Sequence, residues 1–394
     1  MQASVGSNPT LSATSTFERP MGKEPRRLRV ALLNNILPPY RIPVYQKIGE
    51  ETDLRVFLSG YEDNRRTWQE LLERSYSFHL KTSWGFTIKR PRKVDGKVID
   101  MGYTFINPGY FWDLIRTRPD AVISTELGPR TLMALLYGLI FRRPVWVWWG
   151  GTMHSAKTQG GRKDKLRRWL APRIRHWISY GASSTEYLLH IGARKEGIVQ
   201  IQNCVDETLF SPETPPVFEG LSKPVFLHSG QLIKRKGVDL FFKAIAPLKQ
   251  EGRDFTILMV GGGPETEPLK ALAVELGIAE NVHWGRECKP HEMPGVYTSA
   301  DFLIFPTIED VWGLVANEAM WSGVPVICSI YAGCYPEIIP EENAVDPYDT
   351  AAFTEVLRRA FDGKIPKPDP GILRTAASVG QQIVDDMERV CRRK

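Results

Sequence analysis

Disulfide scaffolding is the first thing this sequence lacks. Its 394 residues hold five cysteines, Cys204, Cys288, Cys328, Cys334 and Cys391. The number is odd and the spacings match no zinc-ligand pattern. Reduced thiols in a reducing compartment are expected. Long apolar runs are also missing. The longest, Thr131 to Phe141, is framed by Arg130 and Arg142-Arg143 and falls well short of the ~20 residues a spanning helix needs. Residues 1–24 are polar and rich in Ser and Thr, without the basic start and apolar core of a signal peptide, and are expected to be disordered. The net charge of +6 is too small for a dedicated nucleic-acid binder. The six-position dinucleotide fingerprint is absent too. Gly261-Gly262-Gly263-Pro264 carries no further glycine at the required spacing, which argues against a nicotinamide-dependent enzyme.

What is present is alternation. A chain of this length suits two ordinary domains better than one core. Leu28 to Leu33, Leu54 to Leu58, Ala121 to Ser124, Val145 to Trp149, Trp177 to Ser179 and Ile198 to Ile201 read as strands. Helical stretches lie between several of them, for example Ile42 to Glu51 and from Thr131. Residues 60–110 fit less well, and an insertion or irregular strands are expected there. Prolines 212, 215 and 216 mark a linker. The alternation then restarts with strands at Val225 to Ser229, Phe255 to Val260, Val282 to Gly285, Asp301 to Phe305 and Val324 to Cys328. Continuous apolar strands between helices imply parallel sheets covered on both faces. The organisation read from this is a first domain over 25–205, a linker over 206–224 and a second domain over 225–368. Residues 369–394 form an amphipathic terminal helix that can cross back onto the first domain.

In parallel sheets, ligands bind beyond the carboxyl ends of the strands. Three loops of the second half fall there. Gly230 to Gly237 joins glycines to Lys234-Arg235-Lys236 just before a helix, where free N–H groups and the dipole favour an anion. A solvated basic turn explains it equally simply. Gly261 to Pro264 permits close backbone approach, as a tight turn also would. In the third loop Glu318 follows Asp310 by eight positions, about two helical turns, with Gly313 at the helix start. Carboxylates so placed accept strong hydrogen bonds from sugar and ribose hydroxyls. An N-cap and a surface glutamate give the same spacing.

Taken in order, these motifs resemble the donor half of glycosyltransferase family 4, a retaining family of GT-B fold. The resemblance rests on Gly230 with Leu232 and Lys236-Gly237, on Gly261 to Pro264, and on Asp310 with Glu318. It continues through Gly323-Val324-Pro325-Val326 and Ala332-Gly333-Cys334-Tyr335-Pro336-Glu337, with Asn203-Cys204-Val205-Asp206 before Phe210 at the hinge. Gln231 departs from the family's Arg, Asp310 from its first Glu (Glu309 is adjacent), and Cys204 from its hinge Gly. The resemblance implies two Rossmann-like doubly wound domains facing across a cleft, with a nucleotide-sugar donor on the second and a glycan or lipid-linked acceptor on the first. It assigns Lys236, Asp310, Glu318 and His154 to catalysis. His154 follows the strand ending at Trp149 and corresponds to a histidine near the reacting carbon. Donor binding falls to Gly230, Gln231, Arg235, Gly262, Gly263, Arg286, Glu309, Trp312, Gly313 and Leu314.

No Asp-x-Asp occurs in the chain. The other major sugar-transfer fold uses that pair to hold a metal on the diphosphate, so no metal or other cofactor is expected. Residues 157–177 are strongly basic, with Leu166, Trp169, Leu170, Ile174 and Trp177 near helical spacing. They read either as an ordinary domain helix or as a helix lying on an anionic membrane surface. The expected function is retaining sugar transfer in cell-surface polysaccharide or lipopolysaccharide assembly, by a cytoplasmic protein peripheral on the inner face of the membrane. Alternatives are an inverting transferase or sugar-nucleotide epimerase of the same fold, and a non-catalytic membrane-surface protein.

Overall fold

A computed structural model describes residues 26–60, 71–94, 97–155, 161–286 and 288–392. The amino-terminal stretch expected to be disordered, and Lys157 of the basic segment, lie outside them. The first domain begins with β1 (Arg29–Asn34), α1 (Ile42–Glu51), β2 (Asp53–Leu58) and β3 (His79–Thr82). An antiparallel hairpin follows, β4 (Phe86–Val94) with β5 (Lys97–Ile106), in the stretch expected to be irregular. The alternation resumes with α2 (Gly109–Thr117), β6 (Ala121–Thr125), α3 (Pro129–Phe141), β7 (Val145–Trp149), α4 (Arg162–Leu170), β8 (His176–Ser179), α5 (Ala182–His190) and β9 (Ile198–Gln200). Among the described residues this makes a seven-stranded sheet in the order β3-β2-β1-β6-β7-β8-β9. The pairs are parallel, with Val30 opposite both Leu54 and Ala121.

The second domain runs through β10 (Val225–Ser229), α6 (Val238–Gln250), β11 (Thr256–Val260), α7 (Thr266–Glu275), β12 (Val282–Trp284) and α8 (Met293–Thr298). It continues through β13 (Phe302–Phe305), α9 (Leu314–Trp321), β14 (Val326–Ser329), β15 (Ala344–Val345) and α10 (Thr350–Phe361). Its parallel sheet is ordered β12-β11-β10-β13-β14-β15. Every residue of β10 and β11 is buried, as a sheet with both faces covered requires. On one face Phe241, Phe242, Ile245 and Leu248 of α6 pack on Phe226 and Ile257. On the other, Ala316, Ala319 and Met320 of α9 pack on Leu227 and Leu303.

The last helix, α11 (Ala376–Arg392), leaves the second domain and joins the first. Val379, Ile383, Val384 and Met387 enter the core beside Val44 and Ile48 of α1. Each such buried side chain stabilises by about 1.5–3 kcal/mol. Gly380 permits the contact, since a Cβ there would lie 2.7 Å from Cβ of Lys47. Trp146 on β7 donates its indole N–H to Asp386 at 2.8 Å.

Strand order fixes where ligands can enter. In the first sheet the order reverses between β1 and β6, and in the second between β10 and β13. Such switch points open a crevice beyond the carboxyl ends of the two strands. The two carboxyl edges face each other. His154, after β7, sets its ring edge-on to Tyr331, after β14, at 5.0 Å. Ala182, after β8, donates its N–H to Glu337 at 2.7 Å.

Candidate active site

The second switch point is built by glycines that let backbones touch. A Cβ on Gly261 would stand 2.0 Å from the carbonyl oxygen of Gly230, and one on Gly263 2.3 Å from that of Leu232. These two glycines therefore hold the β10 and β11 loops together. Gly230 and Gly262 face open space, so their backbones are accessible, and Gln231 beside them is exposed. Gly237 has φ +65°, and a Cβ there would meet the Pro306 carbonyl at 2.2 Å. That close approach brings the β10 loop against the β13 loop.

The approach sets a cation on a carboxylate. Lys236 Nζ lies 2.6 Å from Asp310 Oδ2, with both side chains largely covered. The ammonium also sits 5.0 Å above the Phe305 ring. Its charge, after burial itself, helps hold the buried His228 imidazole neutral, at about 4. Arg235 lies 3.5 Å from the same Asp310 oxygen and donates to the Glu309 carbonyl at 2.9 Å. The backbone of the acidic loop is clamped from β14's side, where Gly333 N–H donates to Asp310 O and Cys334 N–H to Trp312 O. Of the two adjacent acids, Asp310 is the one that faces Lys236.

Gly313 ends this loop at φ +99° and is the N-cap of α9, with no side chain capping the helix. The N–H groups of Leu314 and Val315 are thus left for an anion, while Ala316 N–H already donates to the Gly313 carbonyl at 2.9 Å. About one turn on, Glu318 is partly buried and accepts a 2.5 Å hydrogen bond from the buried Tyr297 hydroxyl. Burial pushes the carboxyl up to about 7, and the Tyr297 bond only partly offsets it. A carboxylate held this uncomfortably, at the foot of a crevice, favours hydroxyl donors arriving with a ligand.

Two expected site residues are placed otherwise. Trp312 is buried, and its indole donates to Asn317 Oδ1 at 2.7 Å. It serves the core near the domain junction, where a Cβ on Gly181 would lie 2.4 Å from its ring. Only its backbone remains for a donor. The aromatic ring prefers this packing because it buries a large apolar area and satisfies its N–H at once. Arg286 is exposed and turned to Glu292, donating through Nη1 at 3.1 Å. That pairing holds the Glu292 carboxyl down at about 2 and must be exchanged before Arg286 can serve a ligand. His154 is exposed and meets Tyr331, a neighbour of the Ala332 that bridges to Asp310.

This architecture has known counterparts. Over 93% of its length the chain superposes on 98% of the crystal structure of Anabaena Alr3699/HepE in complex with UDP, with TM-score 0.65 and 16% identity. It likewise covers 99% of the lipopolysaccharide outer core galactosyltransferase WaaB in its apo form, with TM-score 0.63 and 15% identity. The fold is GT-B. Residues 215–370, which carry the whole second switch point, match the family described as Glycosyl transferases group 1. In sequence, the chain is 26% identical over 282 residues to the 2-deoxystreptamine glucosyltransferase of Streptomyces kanamyceticus, covering 64% of this chain and 71% of that one. It is 32% identical over 143 residues to the lipopolysaccharide glucosyltransferase WaaG of Escherichia coli K12, covering 35% of this chain and 37% of that one.

Within the GT-B frame, several contacts escape sequence reasoning. Tyr297 sits in α8, a helix of six residues too short to show a periodic signal. Glu337 is visible as part of a motif, but its role is structural as well. Its carboxylate receives the first N–H of α5 at 2.7 Å, the favourable end for a negative charge, and so ties the domains together. Arg41 ends the loop after β1 and is buried, its guanidinium 4.2 Å from the Trp148 ring and 4.5 Å from the Tyr180 ring. Stacked cations of this kind leave no mark in a single sequence.

Proposed function

We propose that the chain transfers a sugar from a nucleotide-diphosphate donor to a hydroxyl acceptor, with retention of anomeric configuration, as a family 4-like enzyme. The observation that carries this is the alignment of Lys236, Asp310, the uncapped start of α9 and Glu318 at one switch point of a GT-B fold. In this reading Glu318 accepts hydrogen bonds from the ribose diol. The diphosphate lies against the first turn of α9 and draws Lys236 from Asp310. Asp310, once released, accepts from a hydroxyl of the donor sugar, and Arg235, Glu309 and the backbones of Gly230, Gln231, Gly262 and Gly263 complete the pocket. As the bond from the anomeric carbon to the diphosphate breaks, charge grows on the leaving oxygens. A pre-organised ammonium and helix N–H groups stabilise that charge without reorganisation. Neutralisation by these groups needs no metal ion.

The acceptor side is proposed to be a glycan or lipid-linked sugar of the kind used in cell-surface polysaccharide or lipopolysaccharide assembly. Two relatives are named for glucosyl transfer to 2-deoxystreptamine and to lipopolysaccharide. The surface of the first domain supports a lipid-linked acceptor. Leu136 and Leu139 of α3 and Leu166 and Trp169 of α4 are exposed, with Arg168 and Arg173 beside the latter pair. Leu170, Ile174 and Trp177 of the same basic segment go to the core, so the segment acts both as a domain helix and as a candidate membrane face. No helix among the described residues is long and apolar enough to cross a membrane, and a peripheral position on the cytoplasmic face follows as part of the proposal.

The test is a thermal-shift panel of nucleoside diphosphates and nucleotide sugars. Ligand at ~100 times its dissociation constant should stabilise the chain by about 2.7 kcal/mol. The absence of any shift sinks the donor site. Nuclear magnetic resonance of the product then reads the anomer, and inversion ends the family 4 assignment.

A further inference from the structure

The two sheets carry equivalent crevices, and the first is built as deliberately as the second. At the β10/β13 switch point a cation from one loop meets a carboxylate from the other. At the β1/β6 switch point Arg130, at the start of α3, donates through Nε to the Thr125 carbonyl at 2.7 Å, through Nη1 to the Asn35 side chain, and through Nη2 to Glu126 at 3.2 Å. Asn34, at the end of β1, accepts from Thr125 at 2.9 Å. The polar groups of both strand ends are thereby locked together around Glu126.

Glu126 itself has φ +63°, a left-handed conformation that few side-chain-bearing residues adopt. The surroundings enforce it. Its N–H donates to the Trp148 carbonyl at 2.9 Å, and its own carbonyl accepts from the Thr131 hydroxyl at 2.5 Å. Strain held by that many contacts marks a place where the side chain's direction matters. The direction is outward, since the carboxylate is 70% exposed while the Arg130 side chain is 10% exposed. The position is also central. Glu126 lies close enough to Tyr180 to add to the burial that raises that phenol, and Tyr180 packs with both domains.

Resting on the transferase reading, we infer that Glu126 is the acceptor-binding carboxylate, holding a neutral polyhydroxyl sugar at the β1/β6 switch point across the cleft from Lys236 and Asp310. An ionised carboxylate accepts hydrogen bonds and offers none, so it selects hydroxyl donors. The nearby cation is covered and already holds three partners, and an anionic group placed here meets the Glu126 charge. The site therefore discriminates against an acidic sugar at this position.

The experiment compares wild type with Glu126→Gln and Glu126→Gly. The probes are octyl glucoside, galactoside and mannoside as neutral acceptors and octyl glucuronide as the acidic one, with UDP-glucose and GDP-mannose as donors. Donor hydrolysis without acceptor is measured alongside, and direct binding of the glycosides is followed by saturation-transfer magnetic resonance. Wild type is expected to favour neutral glycosides by about tenfold or more. Glu126→Gln should raise the KM for the neutral acceptor about tenfold, as loss of hydrogen bonds to a charged group implies, and narrow the neutral-to-acidic preference. Hydrolysis should stay within about twofold. Glu126→Gly relieves the left-handed backbone, so it should melt no lower than wild type while losing the acceptor equally, which separates binding from folding. An unchanged acceptor KM, a parallel loss of hydrolysis, equal use of the glucuronide by wild type, or no saturation transfer to any neutral glycoside overturns the assignment. Failure of wild type to bind nucleotide overturns the donor reading instead, and the glycoside binding measurement still decides the role of Glu126.

Discussion

The Glu318→Gln substitution puts the donor site to a quantitative test. A carboxyl raised from 4.5 to about 7 costs the folded chain about 3 kcal/mol once it is ionised. The sign follows from linkage. The folded state binds the proton more tightly than the unfolded one, so the associated stability is complete below pH 4.5 and is lost as pH rises through 7. Glutamine keeps an oxygen to accept from Tyr297 but carries no charge. The variant should therefore unfold like wild type near pH 4.5 and be more stable by up to about 3 kcal/mol near pH 8.5. Ligand binding should respond in the opposite sense. A ribose diol donates to the ionised carboxylate, and each such bond is worth about 1.5–3 kcal/mol. The affinity of wild type for a nucleoside diphosphate should climb about tenfold from pH 6 to pH 8, with a proton released on binding near pH 6.5. Glu318→Gln should bind about tenfold or more weakly at pH 8 and lose the pH dependence. Calorimetry with UDP and GDP, in two buffers of different ionisation enthalpy, measures both affinity and proton count. A wild-type affinity that is flat across this range, or a variant that matches wild type at pH 8, refutes the role given to Glu318.

Substitutions at three further positions probe the rest of the structure. Lys236→Met should lower kcat by about 10²–10³-fold, the usual cost of removing one pre-organised charge-stabilising donor, and Lys236→Arg should recover part of it in a donor-turnover assay. Gly313→Ala places a Cβ 2.2 Å from the Phe305 ring at φ +99°. A loss of about 2 kcal/mol in urea unfolding is expected from the combined clash and strain. Asp386→Leu orphans the buried Trp146 indole N–H and should cost about 1–3 kcal/mol, whereas Asp386→Asn retains an acceptor and should cost less; the urea midpoint separates the two.

The fold was legible because its signals are local. Val225 to Leu227 and Ile257 to Val260 are unbroken apolar runs, and glycine-bearing loops follow at the strand ends. Strand order is another matter. That β1 pairs with β6, across the whole of the hairpin, is a long-range choice that periodicity does not encode. The hairpin itself, with its basic and proline-containing strands, lacks the continuous apolar pattern that marked its neighbours. In the site, motifs carried by backbone geometry, such as Gly230, Gly237 and Gly313, were readable from glycine alone. Side chains whose direction depends on packing were not. The choice between Glu309 and Asp310 needs the approach of Gly237 to Pro306, which turns Lys236 toward one acid. Trp312 reads as a ligand contact in sequence because nothing local says that Asn317 will receive its N–H.

The same reasoning explains why the first domain was harder to read than the second. The loop after β1, Asn34 to Arg41, contains no glycine. Asn34, Asn35, Thr125, Glu126 and Arg130 are ordinary polar residues at two distant strand ends, and they become a site only when β1 and β6 lie side by side. A donor pocket must admit a diphosphate against bare backbone, which forces glycines and a helix start into the sequence. A pocket for hydroxyl groups needs only a fixed carboxylate, and the fixing is done by long-range hydrogen bonds and an enforced left-handed φ. The chemistry of each ligand thus sets how visible its site is: an anion recognised by main chain is written in glycine spacing, and a sugar recognised by side chains appears only in the folded arrangement.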